Sequence, residues 1–417
     1  QPLVLGYVVA GFLASPHIPY TPSVMDTANI QTWADIGVIF LLFALGLEFS
    51  FKKIVKVGGA AIIAACTIIF CMILLGITVG TGFGWQRMDS IFLGGMIAMS
   101  STTIIYKAFD DLGMRKKQFT GLVLSVLILE DILAIVLMVM LSTMAVRHNF
   151  EGSEMLESIG KLLFFLILWF VVGIYLIPEL LKRCRKLMSE ETLLIVSLGL
   201  CFGMVVMAAH TGFSAAFGAF IMGSILAETV EAESIERLVK PVKDLFGAVF
   251  FVSVGMMVDP AMIVEYALPI IVITLAVILG QSLFGTLGVL LAGQPLKTAM
   301  QCGFSLTQIG EFAFIIASLG VSLHVTSDFL YPIVVAVSVI TTFLTPYMIR
   351  FAEPASNFVD THLPAKWKNF LLHYSSGSQT MNHESLWKKF ILALTRITIV
   401  YSIVSIAVVA LAFRFLV

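Results

Sequence analysis

The segment Leu122–Leu141 reads LVLSVLILEDILAIVLMVML and places two adjacent carboxylates, Glu130 and Asp131, in the middle of an apolar run. Ionised carboxylates that face lipid cost several kcal/mol, so both side chains are expected to face the protein interior or a water-filled cavity. Counted from Lys117, Asp131 lies roughly 21 Å along a helix, close to the bilayer midplane. Burial and mutual repulsion disfavour the charged forms, so a proton and a cation can compete for the same oxygens. The other interpretation is a buried pair whose hydrogen bonds are satisfied by neighbouring helices.

The composition around this segment is that of an integral membrane protein. Of 417 residues, 59% are hydrophobic and 12% are charged, and the mean hydropathy is +1.01. Apolar stretches of about 20 residues recur without the ten-residue alternation of a barrel, which favours membrane-spanning helices. Nothing in the composition indicates nucleic-acid binding, and the five cysteines form no C-x-x-C pair, so neither a disulfide nor a metal site is expected from them.

Thirteen helical spans are predicted from the apolar runs and from the proline and glycine residues that separate them. They are Leu3–Ala14, Ala34–Phe51, Gly58–Thr81, Asp89–Asp110, Gln118–Met144, Glu157–Leu181, Met188–His210, Phe213–Thr229, Leu238–Val258, Pro260–Ala292, Leu296–Leu323, Leu330–Ile349 and Trp387–Val417. Lysine and arginine cluster after the even-numbered spans, so the positive-inside rule places those ends, and Gln1, in the cytoplasm. The expected location is the inner (plasma) membrane.

The order of the spans predicts three parts. A transmembrane domain covers residues 1–351, a polar cytoplasmic linker covers 352–384, and an additional transmembrane helix covers 385–417. Because apolar runs begin at once and reach the last residue, the chain is expected to be a piece of a longer protein.

Two of the predicted spans contain a polar interruption near mid-depth. Met99–Thr103 brings two serines and two threonines into the fourth span, and these side chains compete for backbone hydrogen bonds and favour local unwinding. Gly303–Glu311 interrupts the eleventh span, which enters from the opposite side of the membrane. Two broken helices of opposed direction are typical of inverted-repeat transporters. Taken alone, Met99–Thr103 is explained equally well as a packing seam of small residues.

The remaining carboxylates are less informative. Glu311 is a third intramembrane carboxylate, and pairing with a neighbouring helix explains it as well as ion handling does. The others lie nearer span ends, where solvation or helix capping accounts for them; they are Asp35, Glu48, Asp244 and Asp259.

Short motifs also occur in a fixed order between Leu3 and about Phe351. They are Leu5-Gly6-Tyr7, Gly37–Glu48 (GVIFLLFALGLE), Ser100-Ser101-Thr102, Glu130-Asp131, Gly218-Ala219-Phe220, Gly255-Met256 and Gly310-Glu311-Phe312. Together they make the chain resemble the bacterial monovalent cation:proton antiporter family, which includes glutathione-gated potassium efflux systems and sodium/proton exchangers.

The resemblance implies an all-α polytopic membrane protein with an inverted-repeat, sodium/proton-antiporter-like fold. In that fold two unwound helices cross, and the first helix of the family is missing from this stretch. The resemblance also implies a homodimer and alternating access between a dimerisation domain and a core domain. Many relatives add a cytoplasmic regulatory domain after the membrane part.

The resemblance further implies that Asp131 is the main ion- and proton-carrying group, with Na+ or K+ held between Asp131 and Thr102. The predicted ion- and proton-binding residues are Asp131, Glu130, Thr102, Ser101 and Thr103, and their predicted partners at the broken helices are Thr307, Gln308, Gln281 and Glu311. The chain departs from the family at two positions. Relatives carry aspartate, asparagine or glutamine at Glu130. Many place a lysine at Gln281, where glutamine can only hydrogen-bond Glu130 and leaves it protonated. The transport stoichiometry is therefore left open.

The predicted function is secondary antiport of Na+ or K+ against protons across the lipid bilayer, with no cofactor and no enzymatic activity. A gated potassium efflux channel-like protein is the alternative, although the T-V-G-Y-G filter sequence is absent. An intramembrane aspartyl protease needs aspartates on facing helices, whereas Glu130 and Asp131 point about 100° apart on one helix. A solute:sodium symporter needs a larger polar pocket for its organic substrate.

Overall fold

The structure is a computed structural model that describes residues 3–16, 18, 27–48, 58–146, 173, 177–183, 189–210, 214–364 and 368. The helices with described bounds are α1 (Leu3–Leu13), α2 (Thr27–Glu48), α3 (Gly59–Gly82), α4 (Arg87–Ile97), α5 (Thr102–Asp111), α6 (Gln118–Val146), α7 (Glu190–His210), α8 (Ala215–Ala227), α9 (Ala232–Met256), α10 (Pro260–Glu265), α11 (Ala267–Leu291), α12 (Leu296–Ser305), α13 (Glu311–Ser322) and α14 (Leu330–His362). The all-helical fold predicted from the sequence is confirmed.

Glycine and aspartate mark several helix ends as the sequence predicts. Gly113 follows α5 with φ of 66°, and Gly293 follows α11 with φ of 78°, a left-handed conformation that glycine adopts without steric cost. Asp259 caps α10, since its Oδ1 accepts the Ala261 N–H at 2.8 Å.

Four predicted spans differ clearly from the structure. α2 begins at Thr27 and not at the predicted Ala34, and α9 begins at Ala232 and not at the predicted Leu238.

The span predicted as one helix over Pro260–Ala292 is wrong, because it divides at Tyr266 into α10 and α11. Pro269 in the first turn of α11 marks the division, since proline has no N–H to donate to the Glu265 carbonyl. The predicted helix end at Ile349 is also wrong, because α14 continues to His362 through the start of the predicted linker. Hydropathy marks where a chain leaves the apolar region, not where its helix stops.

The extension of α14 has its own stabilising contacts. Ala352 and Ser356 are buried, and the Glu353 carboxylate pairs with the Lys297 ammonium of α12 at 2.9 Å. The predicted spans Glu157–Leu181 and Trp387–Val417 lie largely and wholly, respectively, outside the described residues, so they stay predictions.

The helices pack as two groups. In the α2 group, α2 contacts α8 and α9, α9 contacts α1 and α7, and α8 contacts α7. In the α6 group, which comprises α3–α6 and α10–α14, α3 contacts α4, α6 and α11, while α14 contacts α11, α12 and α13. Contacts between α6 and α8 join the groups. The four helices that carry the two polar interruptions therefore all belong to the α6 group.

Within each group, glycine lets helix backbones approach closely. A Cβ on Gly46 of α2 would lie 2.9 Å from the Gly223 Cα of α8, and one on Gly285 of α11 would lie 2.7 Å from the Gly303 Cα of α12. Lipid chains are as apolar as leucine, so dispersion contacts at small residues, and not a hydrophobic effect, hold such helices together.

The outer faces of the helices are apolar. Ile195 of α7 is 69% exposed, Leu279 of α11 is 65% exposed and Phe70 of α3 is 64% exposed. Six helical segments among the described residues are long and apolar enough to cross a membrane, one of them being α4 and α5 together. The protein is therefore a multi-pass membrane protein, and the thirteen crossings remain a prediction.

Replacement of Gly94 by alanine is expected to destabilise the α6 group. A Cβ there would lie 2.6 Å from the Ile73 carbonyl oxygen of α3, so the two helices would have to separate, at a cost of about 1–3 kcal/mol. The measurement is the thermal unfolding midpoint of the purified full chain in detergent. Gly121→Ala on α6 is the matched control, because nothing lies within 4 Å of its Cβ. An unchanged midpoint for Gly94→Ala would contradict the close packing of α3 and α4.

Candidate functional site

The first interruption separates α4 from α5. α4 ends at Ile97, and Ser101 has an extended backbone with φ of −96° and ψ of 121° before α5 begins at Thr102. Ser101 caps the new helix, since its Oγ accepts the Ile104 N–H at 3.3 Å. The interruption therefore covers residues 98–101, whereas Thr102 and Thr103 of the predicted segment Met99–Thr103 already belong to α5.

The second interruption separates α12 from α13. α12 ends at Ser305, and Gly310 has an extended backbone with φ of −85° and ψ of 178° just before α13 begins at Glu311. Residues 306–310 between them are all buried. Within the polar run Gly303–Glu311, the helix is therefore interrupted at residues 306–310, inside the protein.

The two interruptions contact each other and exchange hydrogen bonds. Three bonds join them: Gly310 N–H to the Met99 carbonyl (2.8 Å), Ser100 Oγ–H to the Leu306 carbonyl (3.1 Å) and Gln308 Nε2–H to the Ser101 carbonyl (3.0 Å). The approach requires glycine, because a Cβ on Gly310 would lie 2.6 Å from the Ser100 carbonyl oxygen. Each unwound segment thus satisfies backbone groups of the other.

The two carboxylates of α6 reach the first interruption. The Thr102 hydroxyl donates to Asp131 Oδ2 at 3.1 Å, and the Ser100 N–H donates to Glu130 Oε2 at 3.1 Å. Glu130 is 1% exposed, whereas Asp131 is only partly buried. The adjacent carboxylates therefore have different roles in the packing: Glu130 fixes the unwound backbone, and Asp131 is the one with accessible surface.

The third carboxylate, Glu311, lies at the first turn of α13. It is partly exposed, and it is close enough to Asp131 for the two charges to interact. Glu311 borders a gap of about 10 Å³ that Ser338 and Thr342 of α14 also line. That volume is at the lower limit for one water molecule, so the described structure is narrow at this point.

Three buried side-chain oxygens at the interruptions have no hydrogen-bond donor among the described residues. They belong to Glu130 (Oε1), Gln281 (Oε1) and Gln308 (Oε1). Buried acceptors are nearly always paired in folded proteins. A proton or a cation can bind to such unpaired oxygens beside the unwound backbone.

The hydrogen bond expected from Gln281 to Glu130 is absent. The Gln281 amide donates instead to the Ile97 carbonyl at 3.3 Å. The reason lies in the first interruption: α4 stops at Ile97, so this carbonyl has no donor from its own helix and takes the nearest one.

Two other predicted residues do not contact the carboxylates through described hydrogen bonds. Thr307 is buried, and its hydroxyl donates to the Phe304 carbonyl at 3.0 Å, at the end of its own helix. Thr103 is exposed, and its hydroxyl lies 3.0 Å from that of Ser101. Both lie at the interruptions, where the Thr307 hydroxyl serves the last turn of α12 and the Thr103 hydroxyl contacts that of Ser101.

The sequence analysis missed the support that α14 gives to the second interruption. The Ser338 hydroxyl donates to the Ile309 carbonyl at 3.1 Å, and the Thr341 hydroxyl accepts the Ile309 N–H at 3.3 Å. The signal was present as a serine and threonines within the apolar run of α14. A residue 29 or 32 positions away is not identifiable as a partner from sequence alone.

Another missed contact ties the start of α4 to the loop before α14. Asp89 is 1% exposed, and its carboxylate accepts the Ser327 N–H and the Ser327 hydroxyl, both at 2.7 Å. The carboxylate thus holds the first turn of α4 in place, at the end of this helix that lies away from the interruption.

Over most of its length the chain is similar to known transport proteins. Residues 1–352 match the family described as "Sodium/hydrogen exchanger, transmembrane". The chain is 33% identical over 366 residues to the putative cation/proton antiporter YbaL of Escherichia coli (strain K12), covering 85% of this chain and 64% of that protein. It is 31% identical over 324 residues to the K(+)/H(+) antiporter subunit KhtU of Bacillus subtilis (strain 168), covering 76% of this chain and 79% of that protein.

The fold is also found in a solved structure, that of the sodium proton antiporter MjNhaP1 from Methanocaldococcus jannaschii at pH 8. The TM-score is 0.60 with 14% sequence identity, over 86% of this chain and 92% of that chain. At this identity the similarity shows a shared fold. Because the family match covers residues 1–352, the chain belongs to the sodium/hydrogen exchanger family of monovalent cation:proton antiporters.

Proposed function

We propose that the chain is the membrane part of a secondary antiporter that exchanges Na+ or K+ for protons, with Asp131 occupied by the two ions in turn. The observation that carries the proposal is the position of the Asp131 carboxylate, bonded to Thr102 where the two interruptions meet. Both named relatives are described as antiporters of cations and protons, which supports the same transport activity for this chain.

Four helix ends create the electrostatic environment of this carboxylate. The C-terminal ends of α4 and α12 present carbonyl oxygens that lack intrahelical donors and attract a cation. The N-terminal ends of α5 and α13 present N–H groups that favour the carboxylates of Asp131 and Glu311. A dehydrated cation can therefore be held by Asp131, Thr102 and carbonyl oxygens of the unwound segments.

Proton binding at Asp131 is expected because the ion pairs that the structure describes give these carboxylates no basic partner. None of the ion pairs that the structure describes includes Asp131, Glu130 or Glu311. When the cation leaves, the negative charge in this interior is uncompensated, so the carboxylate takes up a proton. Cation and proton thus exclude each other, which is the condition for antiport.

Alternating access is proposed to occur between the two helix groups. All four interrupted helices belong to the α6 group, so this group can move against the α2 group without breaking the hydrogen bonds between the interruptions. The same proposal includes a homodimer and a cytoplasmic regulatory domain. It places the protein in the inner membrane, with Gln1 on the cytoplasmic side.

The name of the Bacillus subtilis relative favours potassium as the cation, although the residue types at the site suit sodium as well. A comparison of Li+, Na+ and K+ across pH, with the full-length protein in proteoliposomes, separates the two. A potassium channel-like protein is less well supported, because the described residues leave space for only about one water molecule beside Glu311.

Asp131→Asn is expected to reduce cation-driven proton movement to the rate of protein-free liposomes. Asparagine keeps the size of the side chain but cannot alternate between a cation and a proton. The measurement is the pH change inside proteoliposomes after addition of Na+ or K+. The control is Asp111→Asn, which removes an exposed carboxylate that pairs with Lys107 at 2.8 Å and should leave the rate unchanged. Full activity of Asp131→Asn would contradict the assignment of the ion site.

Glu130→Gln is expected to change the pH profile or the charge moved per cycle more than the cation affinity. The glutamine carbonyl can still accept the Ser100 N–H, so the unwound backbone is kept, but the side chain no longer titrates. The apparent KM for the cation should stay within about twofold. Transport rates across pH and currents on a supported membrane measure the effect. An unaltered pH profile together with unaltered charge movement would remove any role for Glu130.

A further inference from the structure

An apolar groove of about 260 Å³ lies where the two helix groups meet. It is lined by α1 of the α2 group, by α10 and α14 of the α6 group, and by the connection between α9 and α10. Every described residue of the lining is apolar; those used below are Val8, Val9, Phe12, Val258, Ala336 and Val339. A cavity with such walls holds no ordered water, so without an apolar occupant the walls forfeit dispersion contacts.

The groove opens onto the bilayer. Val9 and Ile340 both line it, and they are 43% and 38% exposed, respectively. The outer faces of the helices lie against lipid, so acyl chains are the apolar molecules that reach this opening. An acyl chain is as apolar as leucine and carries no group that needs a hydrogen bond, which suits a lining without polar side chains.

The groove lies in the outer half of the membrane. Lys240 and Lys243 stand near the start of α9, and Arg350 lies in the second half of α14. By the positive-inside rule these ends are cytoplasmic. Val258, which follows the end of α9, and Ala336, in the second turn of α14, therefore lie toward the outer surface. The occupant is accordingly a lipid of the outer leaflet.

The outer rim of the groove is negatively charged. Val258 is followed directly by Asp259, whose Oδ1 caps α10 and whose Oδ2 has no partner among the described residues. The stretches that contribute the lining, 3–13, 257–266 and 330–340, contain no lysine or arginine. A carboxylate at this position attracts an ammonium headgroup and repels a headgroup of net negative charge.

The inner end of the groove reaches the gap beside Glu311. Val8 and Val339 line both the groove and this gap. Val8 precedes Phe12 by four residues on α1, so it lies about 6 Å deeper in the membrane. A chain that fills the groove from the outer surface therefore ends against the apolar side of the gap and separates Glu311 from the bilayer.

We propose that the groove binds one acyl chain of an outer-leaflet phospholipid whose ammonium headgroup pairs with Asp259, and that the end of this chain covers the gap beside Glu311. The binding of the lipid does not depend on the proposed antiport. It can therefore be tested without a transport assay.

The experiment is photo-crosslinking of lipid to the purified full-length protein in nanodiscs of equal parts phosphatidylethanolamine and phosphatidylglycerol. Trace lipids of either headgroup carry a diazirine on one acyl chain, and adducts are located by peptide mass spectrometry. With the diazirine at the chain end, adducts should fall on residues 4–9 and 339–342. With the diazirine beside the ester, they should fall on Phe12 and Val258. Phosphatidylethanolamine should give roughly two- to fivefold more adduct than phosphatidylglycerol.

Two substitutions separate the headgroup from the chain. Asp259→Asn should equalise the adducts of the two lipids while the groove stays labelled, because asparagine caps a helix as well as aspartate does. Glu265→Gln is the matched control. It removes an exposed carboxylate about 200° around α10 from Ile263 of the lining, and it should leave the headgroup preference unchanged.

Ala336→Trp should fill the groove and reduce the adducts there to background. Leu279→Trp on α11 is the control, because this residue is 65% exposed outside the groove and its replacement should leave the adducts unchanged. Absence of lipid adducts from the wild-type groove, as when a second copy of the chain covers it, would overturn the proposal. Equal labelling by the two headgroups in the wild type, or a chain end that labels Phe12 and Val258, would do the same.

Discussion

Every backbone N–H and C=O inside a bilayer needs a partner within the protein, and this constraint governs the centre of the molecule. Two helices are unwound there, and each interruption alone would leave backbone groups unpaired at depth. Because the interruptions meet, Gly310 donates to the Met99 carbonyl and Ser100 donates to the Leu306 carbonyl. α14 adds the partners of Ile309. The two unwound segments are therefore stable as a pair.

The proposed ion site depends on the same arrangement. Glu130 accepts the Ser100 N–H that α4 no longer uses, and Asp131 accepts the hydroxyl of Thr102, the first residue of α5. Unwinding thus supplies both the donors that hold the carboxylates and the carbonyl oxygens that can receive a cation. The Oε1 atoms of Gln281 and Gln308 are exceptions, because they are buried and no described donor reaches them.

The helices pack more closely within each group than around a cavity between the groups. Glycine contacts such as Gly285 against Gly303 bring backbones together inside the α6 group, where a shift of a few tenths of an ångström is costly. Between the groups, the structure instead describes a cavity of about 190 Å³. The interruptions and the carboxylates lie in the α6 group, whereas Asp35 of α2 lines the opposite wall of this cavity.

The sequence by itself determined the membrane class, most helix positions, both interruptions and the choice of Glu130 and Asp131 as candidate site residues. These follow from hydropathy, from glycine and proline, and from the cost of charge in an apolar run, all of which are local properties. Only the tertiary structure decided that Gln281 bonds Ile97 and not Glu130, that the Thr307 hydroxyl bonds the last turn of its own helix, and that Ser338 holds Ile309. Hydrogen-bond partners depend on distance in the folded protein, and here the donors pair with carbonyls that a helix end has left free. No local sequence pattern encodes these distances.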